Sequence, residues 1–192
     1  MAKPKIQPGK LYAAEGVREA EIKKLGNQLL RQLSDKDHAG GVSSWDSSQI
    51  FFQLSQNAGD LVAPSPKTLL MLYAADLAFR LRWEIEPLRK DGMDVVAAPY
   101  IETAIGFGLA AGIDRKWLTE LFRFAPPATA TFRLPKASLS KKGGKQKGFV
   151  DFCVKVLTGA SDHWKAMASG KPLATYLNSF DPPPSDKKKR KG

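Results

Sequence analysis

The residues of this chain whose type and spacing indicate a chemical role are its lysines and arginines, which could bind anions. Residues 1–114 carry 13 Lys and Arg against 14 Asp and Glu, whereas residues 115–192 carry 17 against 5. A clustered surplus of this kind creates a local positive potential that attracts polyanions. The pattern therefore predicts phosphate contacts that form by release of counterions.

The surplus is concentrated in a Gly- and Lys-rich loop over residues 133–148 and in a C-terminal tail. The loop cations are Arg133, Lys136, Lys141, Lys142, Lys145 and Lys147, and the tail cations are Lys187, Lys188, Lys189, Arg190 and Lys191. We interpret both clusters as nucleic-acid contacts. A loop kept basic for solubility is the alternative, although such loops usually mix the two signs of charge. The tail also resembles a nuclear-import signal.

Aromatic residues near the loop suggest stacking on bases, which is a common way to hold single strands. Phe132 alternates with Arg133 in an extended segment, so it is the candidate stacking residue. Phe122 and Phe149 fall on apolar helix faces, which predicts that they belong to the core.

Signals for an enzyme are weak. His38, His163 and Cys153 do not have the spacing of a metal site. Residues 143–148 contain glycines and lysines, but the Gly-x-x-x-x-Gly-Lys-Ser/Thr signature is absent from the chain. Asp76 and Glu102 are expected to pair with arginines such as Arg80 or Arg82. We therefore expect no enzymatic activity, no cofactor and no metal.

The apolar spacing predicts an all-α fold of about seven helices in a single domain. The expected organisation is a flexible basic arm over 1–10, a helical domain over 11–181 with an extended basic insertion at 126–148, and a Pro- and Lys-rich tail over 182–192. The first helix is predicted over 11–33, and another is predicted from Asp94 to Ala111.

Several local signals mark where elements begin and end. Ser65 and Pro66 predict the start of the strongest helix, which Pro87 should end or bend. Gly112 predicts a helix stop and Asp114 the next helix start. Residues 129–134 contain β-prone types and predict one short strand or an extended strap.

The function that these observations favour is sequence-independent binding of RNA or single-stranded DNA by a non-enzymatic protein. Basic arms on a compact, self-associating domain are similar in layout to viral coat and nucleocapsid proteins, so a packaging subunit that forms homo-oligomers is expected. The alternative is a helical protein-interaction or assembly module whose tail is a nuclear address or contacts an acidic partner. No secretory signal is visible and residues 103–113 are too short to span a bilayer, which predicts an intracellular (cytoplasmic or nuclear) or virion location and no membrane partner.

Overall fold

A parallel β-sheet forms the centre of the molecule. The computed structural model describes residues 7–33, 38–56, 64–134 and 148–157. The strands are β1 (Leu11–Glu15), β2 (Ala39–Ser44), β3 (Asp94–Ala98) and β4 (Ala130–Arg133). Their order in the sheet is β2-β3-β1-β4, and every neighbouring pair is parallel. The predicted all-α fold is therefore wrong, because the chain has an α/β architecture.

Helices connect the strands and cover both faces of the sheet. They are α1 (Glu19–Leu33), α2 (Ile50–Gln56), α3 (Pro66–Arg80), a π turn (Leu81–Ile85), α4 (Glu86–Lys90), α5 (Glu102–Ala110), α6 (Arg115–Leu121) and α7 (Phe149–Leu157). The longest of them, α1 and α3, have 15 residues each. Within the described ranges, no helix is long and apolar enough to cross a membrane.

Both faces of strand β1 are buried. Tyr12 and Ala14 pack beneath α1, against Ile22 and Leu29. The alternate residues of β1 point into the larger core on the opposite face, which α3, α5, α6 and α7 build. Its buried side chains include Leu11, Ala13, Leu69, Leu70, Tyr73, Leu77, Phe107, Leu118 and Phe149. Strands buried on two sides lack the polar alternation of half-exposed strands and look like short apolar runs in a sequence.

Two of the predicted helices are each a strand followed by a helix. Residues 11–15 pair with residues 95–97 more than eighty positions away, and the helix begins only at Glu19. Likewise, Asp94 does not cap a helix, because its carboxylate accepts a hydrogen bond from the Lys10 backbone N–H (2.7 Å) at the start of β3. The spacing of apolar residues could not reveal the two strands, because the strands that pair in the sheet lie far apart in the chain.

The local boundary signals are confirmed. The Ser65 side chain accepts from the Thr68 N–H, with Pro66 in the first turn of α3. Asp114 caps α6 in the same way, through the Trp117 N–H. Gly112 adopts φ +75°, a conformation that glycine accepts readily, just after α5 ends. The short strand predicted near residue 130 is β4, and the predicted core residues Phe122 and Phe149 are buried.

The helical path continues past Pro87. A proline inside a helix lacks an N–H donor and crowds the carbonyl one turn earlier. Here the turn before it widens, so that the Glu86 N–H donates to the Leu81 carbonyl across five residues. The helical path then continues through α4 to Lys90.

Gly9 is held too close to the backbone of Met93 to accept a side chain. A Cβ atom at Gly9 would lie 1.9 Å from the Met93 carbonyl oxygen, and Gly9 is fixed there by the bond from its N–H to the Arg89 carbonyl (2.8 Å). We expect Gly9→Ala to lower the free energy of unfolding by about 2–3 kcal/mol in urea denaturation. Gly41→Ala is the matched control, because its added Cβ would come no closer than 4.0 Å to Leu88. Equal losses in both variants would contradict this explanation.

Candidate functional site at the carboxyl edge of the sheet

Strands β1 and β3 are neighbours whose following helices lie on opposite faces of the sheet. The chain leaves β1 into α1 on one face, and it leaves β3 into α5 on the other. Ligands of open parallel α/β sheets bind in the crevice at such a point, outside the carboxyl ends of the strands. The candidate site is therefore the edge where the β1–α1 and β3–α5 connections meet.

The carboxylate of Glu15 joins these two connections. It is buried, and it accepts hydrogen bonds from the Glu102 N–H (3.0 Å), the Thr103 N–H (3.0 Å) and the Thr103 hydroxyl (2.6 Å). The last residue of β1 thus binds the first turn of α5, where unpaired N–H groups favour an anion. This contact fixes the spacing between the β1–α1 and β3–α5 connections.

Burial controls the ionisation of Glu15. The loss of solvent raises the pKa of Glu15 to about 7, although the hydrogen bonds from Thr103 and the Glu102 N–H work in the opposite direction. The nearby Glu102 carboxylate adds to the rise. A carboxyl group with a pKa near neutrality is common at functional sites, and structural networks also produce it.

Arg133 lies at the same edge, at the end of β4. Its Nε and Nη2 atoms donate to the two oxygens of Glu102, each at 2.6 Å. Glu102 was expected to pair with Arg80 or Arg82, and it pairs with Arg133 instead. Among the described residues, the three other N–H groups of Arg133 have no protein partner, so the guanidinium is held in place with donors left for a ligand.

Phe132 is half-buried and packs edge-on against the Tyr12 ring at 6.5 Å between centroids. It therefore belongs in part to the layer between the sheet and α1. The other predicted contact residues lie outside the described residues. They are Lys136, Lys141, Lys142, Lys145, Lys147, Lys187, Lys188, Lys189, Arg190 and Lys191.

The β1–α1 turn has only residues 16–18 and is filled by the chain itself. The Gly16 N–H donates to the Thr103 hydroxyl (3.1 Å), and Val17 is buried. A Cβ added to Gly148 would lie 3.3 Å from the Glu19 nitrogen, so the start of α7 lies over the first turn of α1. In phosphate-binding loops the equivalent turn is glycine-rich, and its free N–H groups surround phosphate. This turn lacks that arrangement.

A second polar cluster lies beneath the ends of β2 and β3. Arg80 is fully buried; its Nε donates to the Ser43 hydroxyl (2.9 Å) and its Nη2 to the carbonyls of Ser43 (2.8 Å) and Pro99 (2.9 Å). The Ser43 hydroxyl in turn donates to Glu84 on the π turn (2.6 Å). One arginine on α3 thus holds together the carboxyl ends of two strands.

Asp76 completes this cluster and shapes the loop after β2. Its carboxylate lies 4.0 Å from Arg80 Nη1, which confirms the predicted pairing of these two residues. It also accepts from the Asp46 N–H (3.1 Å), the Ser48 N–H (2.9 Å) and the Ser48 hydroxyl (2.8 Å). Asp46 then caps α2 by accepting from the Phe51 and Phe52 N–H groups, each at 2.9 Å.

The residues that sequence reasoning missed are Glu15, Thr103 and Ser43. One signal could have found the first of them. Residues 11–16 form a short apolar run that ends in Glu15-Gly16 before a charged helical pattern, which is the order strand, turn, helix. Thr103 and Ser43 carry no such signal, because their roles depend on partners far away in the chain.

The described residues contain no group of three or more His, Cys, Asp or Glu placed to hold a metal ion. Cys153 is buried, and burial raises the pKa of its thiol well above the usual value. His38 is exposed, whereas His163 lies outside the described ranges.

No protein-family model matches the chain. Its sequence is 30% identical over 88 residues to a probable thymidylate kinase of Pyrobaculum aerophilum, covering 43% of this chain and 46% of that protein. It is 25% identical over 124 residues to probable thymidylate kinase 2 of Saccharolobus solfataricus, covering 65% of this chain and 58% of that protein. The chain thus spans about half the length of the curated relatives that it matches.

These similarities, together with the parallel sheet, overturn the functional expectations from composition. The relatives are named as kinases, and the sheet belongs to an α/β fold like that of the P-loop kinases. The expected non-enzymatic nucleic-acid-binding function, the coat or nucleocapsid role and the helical interaction module are therefore wrong. Clustered positive charge indicates affinity for phosphate, and it does not by itself distinguish a nucleic acid from a nucleotide.

Proposed function

We propose that this protein is a nucleotide kinase that acts on thymidylate or a closely related nucleoside monophosphate. The observation that carries the proposal is the sequence similarity to two probable thymidylate kinases. The carboxyl edge of β1 and β3 supports it, because open α/β sheets bind nucleotides where neighbouring strands lead to helices on opposite faces. An intracellular location belongs to the proposal, since nucleoside triphosphates are the phosphate donors there.

The reaction moves the terminal phosphoryl group of a nucleoside triphosphate to the 5′-phosphate of the acceptor. The bond between the γ-phosphorus and the β,γ-bridging oxygen breaks, a bond from the γ-phosphorus to an acceptor phosphate oxygen forms, and a nucleoside diphosphate leaves. Catalysis of such a transfer depends mainly on positioning and on stabilising the negative charge of the phosphates. Cationic side chains at the carboxyl edge are therefore the groups that matter.

Arg133 is the cation that we propose for this role. Glu102 holds its guanidinium with two bonds of 2.6 Å, so the remaining N–H groups are pre-oriented toward a phosphate. The β1–α1 turn does not supply a phosphate cradle in this chain. We propose that the lysines between residues 134 and 148 supply the missing charge, because Leu134 and Gly148 both lie against that turn.

The direct test follows transfer of radioactive phosphate from [γ-³²P]ATP with Mg²⁺ to thymidylate by the purified full chain. We expect Arg133→Ala to reduce kcat/KM roughly 10- to 100-fold, the effect of losing a hydrogen bond to a charged group. Arg123→Ala is the control, because the Arg123 side chain is 79% exposed and its ion pair is with the exposed Glu120. Circular dichroism would verify that both variants are folded.

The lysines are tested by charge-matched variants. Changing Lys141, Lys142, Lys145 and Lys147 together to Gln should lower activity, whereas changing Lys187, Lys188, Lys189 and Lys191 to Gln removes the same charge from the tail and should not. Equal losses of activity in the loop and tail variants would show that total positive charge matters and that its position in the loop does not. Absence of both phosphate transfer and thymidylate binding by calorimetry would overturn the proposed function.

A further inference from the structure

The first residue of α7, Phe149, is buried among four other aromatic rings. Its ring centroid lies 4.5 Å from that of Tyr73, 5.4 Å from Phe107, 5.7 Å from Phe51 and 6.3 Å from Trp45. These four residues come from α3, α5, α2 and the loop after β2, and we call them the aromatic slot. One side chain of α7 thus fills a space whose walls belong to four other parts of the fold.

The aromatic slot adjoins the candidate site at the carboxyl edge of the sheet. Phe107 lies about one turn after Thr103, so the two residues share one face of α5, and Thr103 is the residue that binds Glu15. On the other side of the slot, the Tyr73 hydroxyl donates to the carbonyl of Tyr100, just after β3. A ligand at this edge would therefore find the slot next to it.

The polarity of the slot does not match the ring that fills it. The indole Nε1 of Trp45 is buried and, among the described residues, has no hydrogen-bond partner. Buried donors in native proteins nearly always have one, and the phenyl ring of Phe149 offers no acceptor. A thymine ring is a flat six-membered ring that carries carbonyl acceptors and stacks on aromatic side chains. The slot therefore suits a pyrimidine base better than it suits Phe149.

We propose that Phe149 occupies the place of the nucleobase, so that α7 is an autoinhibitory element that a bound nucleotide displaces. The inference rests on the proposed function, because a nucleoside monophosphate is the competitor. Glu102, which holds Arg133, lies about 7.5 Å before Phe107 along α5, at 1.5 Å per residue. The slot and the arginine proposed to bind phosphate are thus attached to neighbouring turns of one helix.

Helix α7 is suited to be displaced, because it is short and its packing carries a cost. It has nine residues and enters the aromatic cluster through Phe149 and the half-buried Phe152, which lies 5.2 Å from Phe51. Burial raises the pKa of Asp151 although Arg18 acts in the opposite direction, so packing α7 in place removes water from a carboxylate. Release of α7 would restore that hydration. Short elements of this kind open locally without unfolding the whole protein.

Cys153 is a built-in reporter of this displacement. It lies about one turn after Phe149 on α7, it is completely buried, and it is the single cysteine of the chain. Burial also raises the pKa of its thiol, which slows reaction with the thiol reagent DTNB. We expect saturating thymidine 5′-monophosphate to raise the rate of this reaction at least tenfold in the full chain. An unchanged or slower rate, at concentrations where calorimetry shows binding, would overturn the proposal.

Phe149→Ala removes the competitor from the slot. Its apparent affinity for thymidine 5′-monophosphate should exceed that of the parent at least tenfold by calorimetry, because the binding-competent state no longer has to form first. Phe122→Ala is the matched control. Phe122 is also buried and packs edge-on against Tyr73 at 6.0 Å, but its loss does not empty the slot, so this variant should bind no more tightly than the parent.

Both variants lose core contacts, so binding is measured at a temperature where circular dichroism shows them folded. Should Phe149→Ala not fold, Phe149→Leu keeps more of the core volume without the ring and should also bind more tightly than the parent. A folded Phe149 variant that binds thymidine 5′-monophosphate no better than the parent would overturn the proposal, even if the parent transfers phosphate. Tight binding by that variant, with no phosphate transfer by any form of the protein, would support autoinhibition and contradict the kinase function.

Discussion

Replacing Arg80 by Ala is expected to lower the free energy of unfolding by about 3–5 kcal/mol, as for other buried charge pairs that lose one partner. Arg80 and Asp76 are both completely buried, and Arg80 donates three hydrogen bonds to Ser43 and Pro99. The variant leaves the Asp76 carboxylate without its cation and two carbonyl groups without their donor. Urea denaturation followed by circular dichroism measures the loss.

Arg80→Lys distinguishes the contribution of the positive charge from that of the three hydrogen bonds made by the guanidinium. Lysine keeps the positive charge but cannot reach all three acceptors with one ammonium group, so we expect it to recover only part of the lost stability. Arg123→Ala provides the baseline, because an exposed arginine and its surface ion pair contribute less than about 1 kcal/mol. A loss below 1 kcal/mol in Arg80→Ala would show that the cluster does not stabilise the carboxyl ends of β2 and β3.

The same variant also tests how the candidate site is supported. Arg80 holds the carboxyl ends of β2 and β3, and Asp76 shapes the loop after β2. Neither side chain reaches the solvent. If the proposed function is correct, weaker thymidylate binding in Arg80→Lys, at a temperature where that variant is folded, would show that the cluster positions the carboxyl edge of the sheet.

Glu15 is expected to make the stability of the folded protein fall as the pH rises through neutrality. Burial raises the pKa of Glu15 in the folded state to about 7 from an ordinary value of 4.5. The folded state therefore binds a proton that the unfolded state has released, and the resulting stabilisation is complete below pH 4.5 and lost as the pH passes 7. The loss amounts to about 3 kcal/mol, taking 1.36 kcal/mol per pKa unit.

Glu15→Gln removes the titrating group and should abolish this part of the pH dependence. At pH 5 the Glu15 carboxyl of the folded parent is protonated, so it and Gln each present one donor group and one oxygen to the Glu102 and Thr103 N–H groups, and the two proteins should have similar stability. From pH 5 to pH 8 the parent should then lose about 3 kcal/mol of unfolding free energy relative to the variant. The exposed Glu120→Gln should follow the parent curve. A difference that stays constant over this range would contradict the role of Glu15.

Local signals in the sequence determined where several helices begin and end. Ser65 with Pro66, Asp114 and Gly112 each act within four residues of their own position, through a side-chain cap or a left-handed backbone. Such contacts need no distant partner, so they can be identified from the chain alone. The unequal distribution of charge between residues 1–114 and 115–192 can also be identified from the sequence alone, because it requires only a count of charged residues.

The sheet could not be identified in this way. Residues 11–15 and 94–98 are short apolar runs, and they become strands because each pairs with the other across more than eighty residues. Covered by helices on both faces, they lack the alternating pattern that identifies a half-exposed strand. Each of these strands is followed closely by a helix. The apolar residues of the strand and of the helix together fit the spacing of one longer helix.

The candidate site depended still more on tertiary structure. Glu15 and Thr103, Ser43 and Arg80, and Glu102 and Arg133 are separated by 88, 37 and 31 residues, respectively. The sequence by itself determined the local caps and the separation of charge between the two parts of the chain. Only the parallel sheet decided which side chains share one edge, because it aligns the carboxyl ends of strands that are remote in the chain.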